Sequence, residues 1–362
     1  MPSERIYNFS AGPSVLPLSV LERAASEMTN YRGSGMSVME MSHRSKIYLA
    51  IFEKTKDGLK RALGVPDTHE ILFMQGGATF QFSAVPLNLI GKTGAADYAV
   101  TGSFAGTAMK EAQKYGLIRV AATTEGANHT VIPAQGDLNI SPDASYFYYC
   151  ANNTIYGTEW KYTPDVGGVP IVTDMSSNIL SKPLDISKFG LIFAGVQKNM
   201  APAGMAVVIV DKSLLGNELP YTPKIMSYRA AADSDSMLNT PPCYTIYMLG
   251  LVLEWLEERG GVAEMERAKT AKAAILYDFL DGSRLFGGCA AASARSDMNV
   301  TFRTSSEELD EKFVKEATAA GFVNLKGHRS AGGMRASIYN AMPAQGVEEL
   351  VGFMAKFERE NG

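Results

Sequence analysis

The sequence predicts an α/β protein: a large domain with a mainly parallel sheet of the seven-stranded type, flanked by helices, plus a smaller α+β domain at the C-terminal end. Two patterns predict it. Short apolar runs bounded by Gly or Pro alternate with helical periodicities from about residue 70 to 210, as buried strands of a parallel sheet do. After Pro241-Pro242 the chain changes to long helices followed by separated strands.

The first helical pattern opens near Leu18, after the segment NFSAGPSVLP. A second helix spans about Ser45 to Leu63, with Ile47, Ile51, Phe52, Leu59 and Leu63 on its apolar face. ILFM at 71–74 is the first core strand and leads into the glycine turn and helix of QGGATFQFSAVPLNLI. DYAV at 97–100 leads into the helix of FAGTAMKEAQKYG. LIRVAA at 117–122, SYFYYC at 145–150, PIVTD at 170–174, LIFAGV at 191–196 and AVVIV at 206–210 complete the strands. CYTIYMLGLVLEWLEERGG reads as a long apolar helix stopped by Gly260-Gly261, and a second helix from about Val262 to Leu280 would form a spine between domains. Beyond it come MNVTFR at 298–303, a helix over SEELDEKFVKEATAAG, the loop LKGHRSAGGMR, a strand at ASIY and a last helix from about Gly346. The domain boundary is expected near residue 260. Residues 16–260 then form the large domain, and 1–15 pack with 261–362 in the small one.

Composition excludes several function classes. A net charge of −4 leaves no basic footprint for nucleic acid. Cys150, Cys243 and Cys289 have no metal-ligand spacing, and no His, Cys and carboxylate set suggests a metal site. A sparse, odd cysteine count suits a reducing compartment. No apolar run reaches membrane-spanning length, and Met1-Pro2-Ser3-Glu4-Arg5 lacks a signal-peptide core. A cytoplasmic location is the resulting expectation.

Lys198 is the residue that needs explaining, because it interrupts two runs that read as buried strands, 191–196 and 206–210. There its ammonium loses hydration unless it reaches water or a partner. Alone, the pattern fits a snorkelling surface lysine as well as an amine held for Schiff-base chemistry. Asp174 ends PIVTD, at the carboxyl end of a strand, where ligands lie in open α/β sheets; alone it fits an ordinary helix cap equally. Adjacent parallel strands would bring Asp174 and Lys198 to one sheet edge. An acid for a pyridinium nitrogen and a lysine for an aldehyde are the two protein parts that pyridoxal phosphate needs.

The turn MQGGATFQF follows a strand and opens a helix, so the amides near Ala78 and Thr79 would face an anion. It matches neither dinucleotide nor P-loop patterns, and a single phosphate fits better. Phe104 in TGSFAG could stack on a ring face or simply fill the core, and Thr154 in CANNTIYG could donate to a phenolic oxygen. His43 and Arg44 in SHRS, and His328, Arg329 and Arg335 in KGHRSAGGMR, place cations on loops, which suits small acidic substrates. His69 and His129 carry no such signal.

Taken together, NFSAGPSVLP, SVMEMSHRS, TDMSSNILS, GVQKNMAPAGMAVVIV, NTPPCYTIYMLGLVLEWL and GGMRASIYNAMP closely resemble the phosphoserine aminotransferases, in order and over almost the whole chain. The resemblance implies the aspartate aminotransferase type of fold and a homodimer with shared active sites. It implies pyridoxal 5'-phosphate linked to Lys198 as a Schiff base, with Asp174 on the pyridine nitrogen, Phe104 stacked, and Thr154 and Gln197 on the ring or phosphate. It places Ala78 and Thr79 on the phosphate, with Asn239 and Thr240 reaching it from the other subunit. Ser10, His43, Arg44, His328, Arg329 and Arg335 would hold the substrate. Relatives carry Arg at the position of Thr79 and Trp at that of Phe104.

The implied reaction is ping-pong. L-glutamate leaves its amino group and departs as 2-oxoglutarate, and 3-phosphohydroxypyruvate takes it up to give O-phospho-L-serine in serine biosynthesis. Pyridoxine biosynthesis is a second pathway implied by the resemblance. The alternatives are another aminotransferase or a cysteine desulfurase on this scaffold, and a non-catalytic ligand-binding protein. A desulfurase needs a cysteine on a mobile loop, whereas Cys150 and Cys243 lie in apolar strand or helix contexts and Cys289 has no base in view.

Overall fold

Seven strands pair into one sheet, and most of the site residues follow the ends of its strands. The computed structural model describes residues 5–362. Besides short 3-10 turns, the chain runs β1 (Tyr7–Asn8), α1 (Leu18–Ser26), α2 (Lys46–Leu63), β2 (His69–Gln75), α3 (Gly77–Leu89), β3 (Ala95–Val100), α4 (Ser103–Ala112) and β4 (Leu117–Thr123). It continues with β5 (Phe147–Cys150), β6 (Asn152–Asn153), β7 (Thr158–Glu159), β8 (Ile171–Asp174), β9 (Leu191–Gly195), β10 (Met205–Asp211) and α5 (Tyr228–Asp233). The remainder is α6 (Cys243–Glu258), α7 (Gly261–Gly282), β11 (Gly287–Gly288), β12 (Asn299–Arg303), α8 (Glu307–Ala319), β13 (Phe322–Val323), β14 (Met334–Ser337) and α9 (Ala344–Asn361).

The large sheet has the order β2-β10-β9-β8-β5-β3-β4. Strand β10 is antiparallel to both neighbours and the other pairings are parallel. The connection from β9 to β10 is too short for a parallel crossover, so the chain must turn back on itself. Except at the edge strand β4, where Leu117 and Val120 are exposed, both faces are buried, and the alternation of side chains divides the strands between two cores. Ile192, Ala194, Val207 and Ile209 enter the cluster that includes α2 and α6. Leu191, Phe193, Val208 and Val210 enter the opposite cluster, with α3 and α4. A third cluster joins Phe9 to residues 273–357, and β1 pairs with β13.

Two local details depart from the sequence pattern. Helix α2 is capped by Ser45, whose hydroxyl accepts from the Tyr48 amide, and ends at Gly64 in the left-handed region. Its buried stripe is Tyr48, Ile51, Phe52, Thr55, Leu59 and Leu63. Ile47 lies about 100° from Tyr48 around the axis, off that stripe, and is 41% exposed. Strand β14 begins at Met334 and stops at Ser337, two residues before the end of the ASIY run. The carbonyls that follow turn toward Lys272 on α7 instead of extending the ladder.

Glu159 on β7 is fully buried among lysines. Its carboxylate accepts from Lys182 at 3.0 Å and Lys161 at 3.1 Å, while Asp297 pairs with Lys269 at 3.1 Å and Lys161 at 3.6 Å. Burial pushes the Glu159 pKa up, but Lys182, Lys161 and Lys269 outweigh it and hold the pKa at about 2. The folded pKa lies below the ordinary value of 4.5. The charge therefore stabilises the fold fully above that pH, and the contribution is lost as pH falls toward 2. Glu159→Gln is expected to lower stability at pH 7 by on the order of 3 kcal/mol. Denaturant titrations of both proteins should show the gap shrinking below about pH 4.5; a gap constant with pH would contradict this.

No helix among the described residues is long and apolar enough to cross a membrane, and none of their His, Cys, Asp and Glu side chains group into a candidate metal site.

Candidate active site

The strands β2, β3, β5, β8 and β9 all deliver their carboxyl ends to one side of the sheet. A cleft of about 580 Å³ opens there. Asp174 is the last residue of β8, and Lys198 sits in the turn after β9. Both line the cleft.

The Lys198 ammonium is only 8% exposed and finds partners inside the cleft. Its Nζ donates to Thr154 Oγ1 at 2.9 Å and to Ser177 Oγ at 2.8 Å, and the two hydroxyls are 2.5 Å apart. The Phe104 ring centre lies 5.7 Å from the same Nζ, and its face remains 40% exposed. Phe104 is therefore not core packing. Asp174 accepts from the Ser176 amide at 2.8 Å. Burial raises its pKa, while the bond from Ser176 and the charge on Lys198 pull it back. A cationic ring nitrogen beside Asp174 would secure the carboxylate form.

At the end of β2, Gly76 and Gly77 both have positive φ, 92° and 68°, and the Gly76 turn admits no Cβ because Phe80 would be 2.8 Å from it. Helix α3 then starts with no side-chain cap, so the amides around Ala78 and Thr79 face the cleft unsatisfied by protein. Arg335 on β14 reaches the cleft half-buried, and its Nη1 donates only to the Thr154 carbonyl, at 3.2 Å. Burial holds its pKa down, a cost that an incoming carboxylate would offset. His328 lines the same cleft, and burial followed by Arg335 and Arg329 holds it below the usual imidazole range. An amine, a buried carboxylate, an open aromatic face, a hydroxyl and an uncapped helix start thus meet in one space. These residues fit the aldehyde, ring nitrogen, ring face, phenolic oxygen and phosphate of pyridoxal phosphate.

The family model described as Aminotransferase class-V matches residues 6–350. The phosphoserine aminotransferase of Pseudomonas paraeruginosa is 51% identical over 360 residues, covering 99% of this chain and 100% of that protein. The solved phosphoserine aminotransferase from Bacillus circulans subsp. alkalophilus superposes with a TM-score of 0.97 at 46% identity, over 99% of this chain and 100% of that one. A pyridoxal-phosphate-bound phosphoserine aminotransferase from Trichomonas vaginalis gives a TM-score of 0.93 at 42% identity, over 97% and 100%. The chain belongs to the phosphoserine aminotransferases.

In this aminotransferase the cleft gathers Ala78, Thr79, Phe104, Thr154, Asp174, Gln197, Lys198, His328 and Arg335. Other residues singled out in the sequence lie outside it. Ser10 follows β1 and its amide bonds to the Asn8 side chain at 3.1 Å. His43 is half-buried with its Nε2 unpartnered, and Arg44 is exposed on the loop before α2. Arg329 is exposed beside His328. Asn239 and Thr240 are exposed, with the Thr240 carbonyl accepting from Gln75 at 2.7 Å, just outside the Gly76 turn. His69 and His129 serve the fold. His69 bonds to the Phe189 carbonyl at 2.8 Å, and His129 bonds to Thr124 and packs on Tyr156.

Sequence reasoning missed Ser177, although a hydroxyl doublet one residue beyond the strand-ending acid was its signal. Cys150 also lines the cleft, but burial and then Asp174 push its thiol far up, which removes it as a nucleophile. Neither that thiol nor the comparisons favour a desulfurase or a non-catalytic binding protein.

Proposed function

We propose that this aminotransferase exchanges an amino group between L-glutamate and 3-phosphohydroxypyruvate in the cleft around Lys198, giving 2-oxoglutarate and O-phospho-L-serine. The observation that carries the reading is the Lys198 amine, buried and held by two hydroxyls in the same cleft as Asp174 and Arg335. Pyridoxal phosphate, when bound, supplies the electron sink that makes the α-C–H bond of an amino acid acidic. Asp174 would hold the ring nitrogen protonated, Phe104 would offer its face to the ring, Thr154 would serve the phenolic oxygen, and Gln197 with the first amides of α3 would serve the ring and phosphate. Lys198 Nζ takes the α-proton as general base and returns it as general acid. The Thr154 and Ser177 hydroxyls fix where Nζ rests between these transfers.

Arg335 binds the α-carboxylate shared by both amino acids. His328 and Arg329, with His43, Arg44 and Ser10, take the distal carboxylate or phosphate. We read the enzyme as a homodimer in which a second copy brings Asn239, Thr240, His43 and Arg44 to this cleft. The exposure of Arg44, Asn239 and Thr240, the His43 Nε2 without a partner among the described residues, and the exposed apolar Met36, Met39 and Ile47 nearby support it. The third hydrophobic cluster supports a small domain of residues 1–15 and 261–362 against a large one of 16–260. Three free cysteines support a cytoplasmic location.

The test is the visible spectrum of the protein with pyridoxal phosphate. A yellow band that borohydride abolishes, leaving the reduced cofactor on the Lys198 peptide, is expected. Glutamate should bleach the untreated band and 3-phosphohydroxypyruvate should restore it. Protein that stays colourless with added cofactor would overturn the reading. Arg335→Lys is expected to raise KM for glutamate and phosphoserine together, by roughly 10- to 100-fold, the worth of a charge-assisted pair. An effect on phosphoserine alone would assign Arg335 to the phosphate instead.

A further inference from the structure

Lys272 lies in the middle of α7, outside the cleft, and is 4% exposed. It forms no ion pair among the described residues. A buried lysine without a carboxylate costs several kcal/mol unless its N–H groups are fully used. Here they are. Nζ donates to the carbonyls of Tyr339 at 2.7 Å, Met342 at 2.9 Å and Ile338 at 3.1 Å, with Asn340 O at 3.5 Å. Three good acceptors match the three donors of an ammonium. Burial draws the Lys272 pKa down to about 7, and the ring of carbonyl oxygens is what favours the charged form.

The caged turn reaches the Lys198 backbone by two arms. In the first, the Asn340 amide donates to Asn199 Oδ1 at 3.0 Å, and Asn199 directly follows Lys198. The Asn340 side chain donates to the Leu180 carbonyl at 2.8 Å, and the Asn199 side chain donates to Ile179 O at 2.9 Å. This fixes the segment just beyond Ser177. In the second arm, the Tyr339 hydroxyl donates to Ala11 O at 2.8 Å. Ser14, three residues on, donates its amide to Gln197 O at 3.0 Å and its hydroxyl to Lys198 O. A Cβ on the intervening Gly12 would stand 3.3 Å from Lys198 Cγ, so this segment packs directly on the lysine stem.

We propose that Lys272 is a positioning residue for catalysis: by gripping the 338–342 turn, it sets the backbone on both sides of Lys198. This rests on the reading of Lys198 as the proton carrier. A shift of about 1 Å at a reacting group costs on the order of 100-fold in rate, and Asn199, the neighbour of Lys198, is two hydrogen bonds from Lys272.

The test uses the holoenzyme carrying Lys272→Met, which keeps the stem and removes the donors, and Lys272→Arg, which keeps donors. Lys272→Met is expected to lower kcat per bound cofactor by about 10- to 100-fold with KM for glutamate little changed. Hydrogen exchange should quicken at the Asn340 and Ser14 amides, and Lys272→Arg should restore part of both. A merely structural lysine would lower Tm and leave kcat per bound cofactor at the wild-type value, which would overturn the proposal. If Lys272→Met does not fold, Tyr339→Phe decides, since it removes the bond to Ala11, with the one the hydroxyl accepts from Asn299, and leaves the carbonyl cage of Lys272 in place. A lower kcat at constant KM supports the proposal and an unchanged kcat overturns it. Wild-type holoenzyme without transaminase activity would sink the functional reading instead, and hydrogen exchange would then decide whether Lys272 holds the turn at all.

Discussion

Lys198→Ala is expected to bring turnover to background, a loss of roughly 10⁴-fold or more in kcat, with the fold retained. The fold should survive because the lysine lines an open cleft, and among the described residues its ammonium bonds to just the Thr154 and Ser177 hydroxyls. Those hydroxyls remain paired with each other at 2.5 Å. Cα–H cleavage would then lack its proposed base: Asp174 is engaged by the Ser176 amide, and Cys150 is held protonated by burial. Single-turnover assays with glutamate would measure the loss. Residual turnover within tenfold of wild type would give the proton to another residue. The same variant tests the shared site. Mixed with Arg44→Met chains, it should regain roughly a quarter of wild-type activity as subunits exchange, because one site in each mixed dimer is then complete. No recovery under conditions where mixed dimers demonstrably form would confine each site to one chain.

Asp174→Asn should lower kcat by roughly 10²- to 10³-fold, the usual loss when one preorganised electrostatic partner is removed. Asparagine has the same shape, so its oxygen can still accept from the Ser176 amide and the turn after β8 is kept. What disappears is the negative charge. In the wild type that charge sits in a site where burial resists it and the Ser176 bond and Lys198 favour it. It is therefore poised to answer a cation at the ring nitrogen. Cofactor capture by Lys198 should persist in the variant, read as a yellow band that borohydride removes. A kcat within threefold of wild type would mean that ring protonation does not depend on Asp174.

The large sheet was legible because strands buried on both faces read as unbroken apolar runs, and all seven match strands of the structure. Lys198 and Asp174 stood out for the same reason, as charges at the ends of such runs. The reversal of β10 was readable in principle, since the segment between Val196 and Gly204 is too short to cross over. Other features needed three dimensions. Lys272 shares a helix with Lys269, Arg267 and Glu266, and in sequence it is one more charge on a helix face. Only the fold puts four carbonyls around it. Ile47 and Tyr48 are adjacent, and periodicity alone did not decide which turned inward. His43, Arg44, Asn239 and Thr240 lie outside the cleft of a single chain, and their place relative to it could not be read from the sequence pattern.

The reversed strand also governs the order in which the molecule can be assembled on the ribosome. Strand β2 pairs only with β10, residue Gln75 lying opposite Met205, so it has no sheet neighbour until the later strand is made. At about 5–20 residues per second, the roughly 130 residues between them take about 7–26 s to synthesise. Through that interval the nascent chain carries an apolar, unpaired strand, a ready template for another chain. The Gly76 turn waits with it, because its amide is satisfied by the Gly204 carbonyl at 3.2 Å. The Gly76 turn is thus complete only once β10 lies beside β2, so this side of the cleft takes shape after the sheet has closed rather than before it.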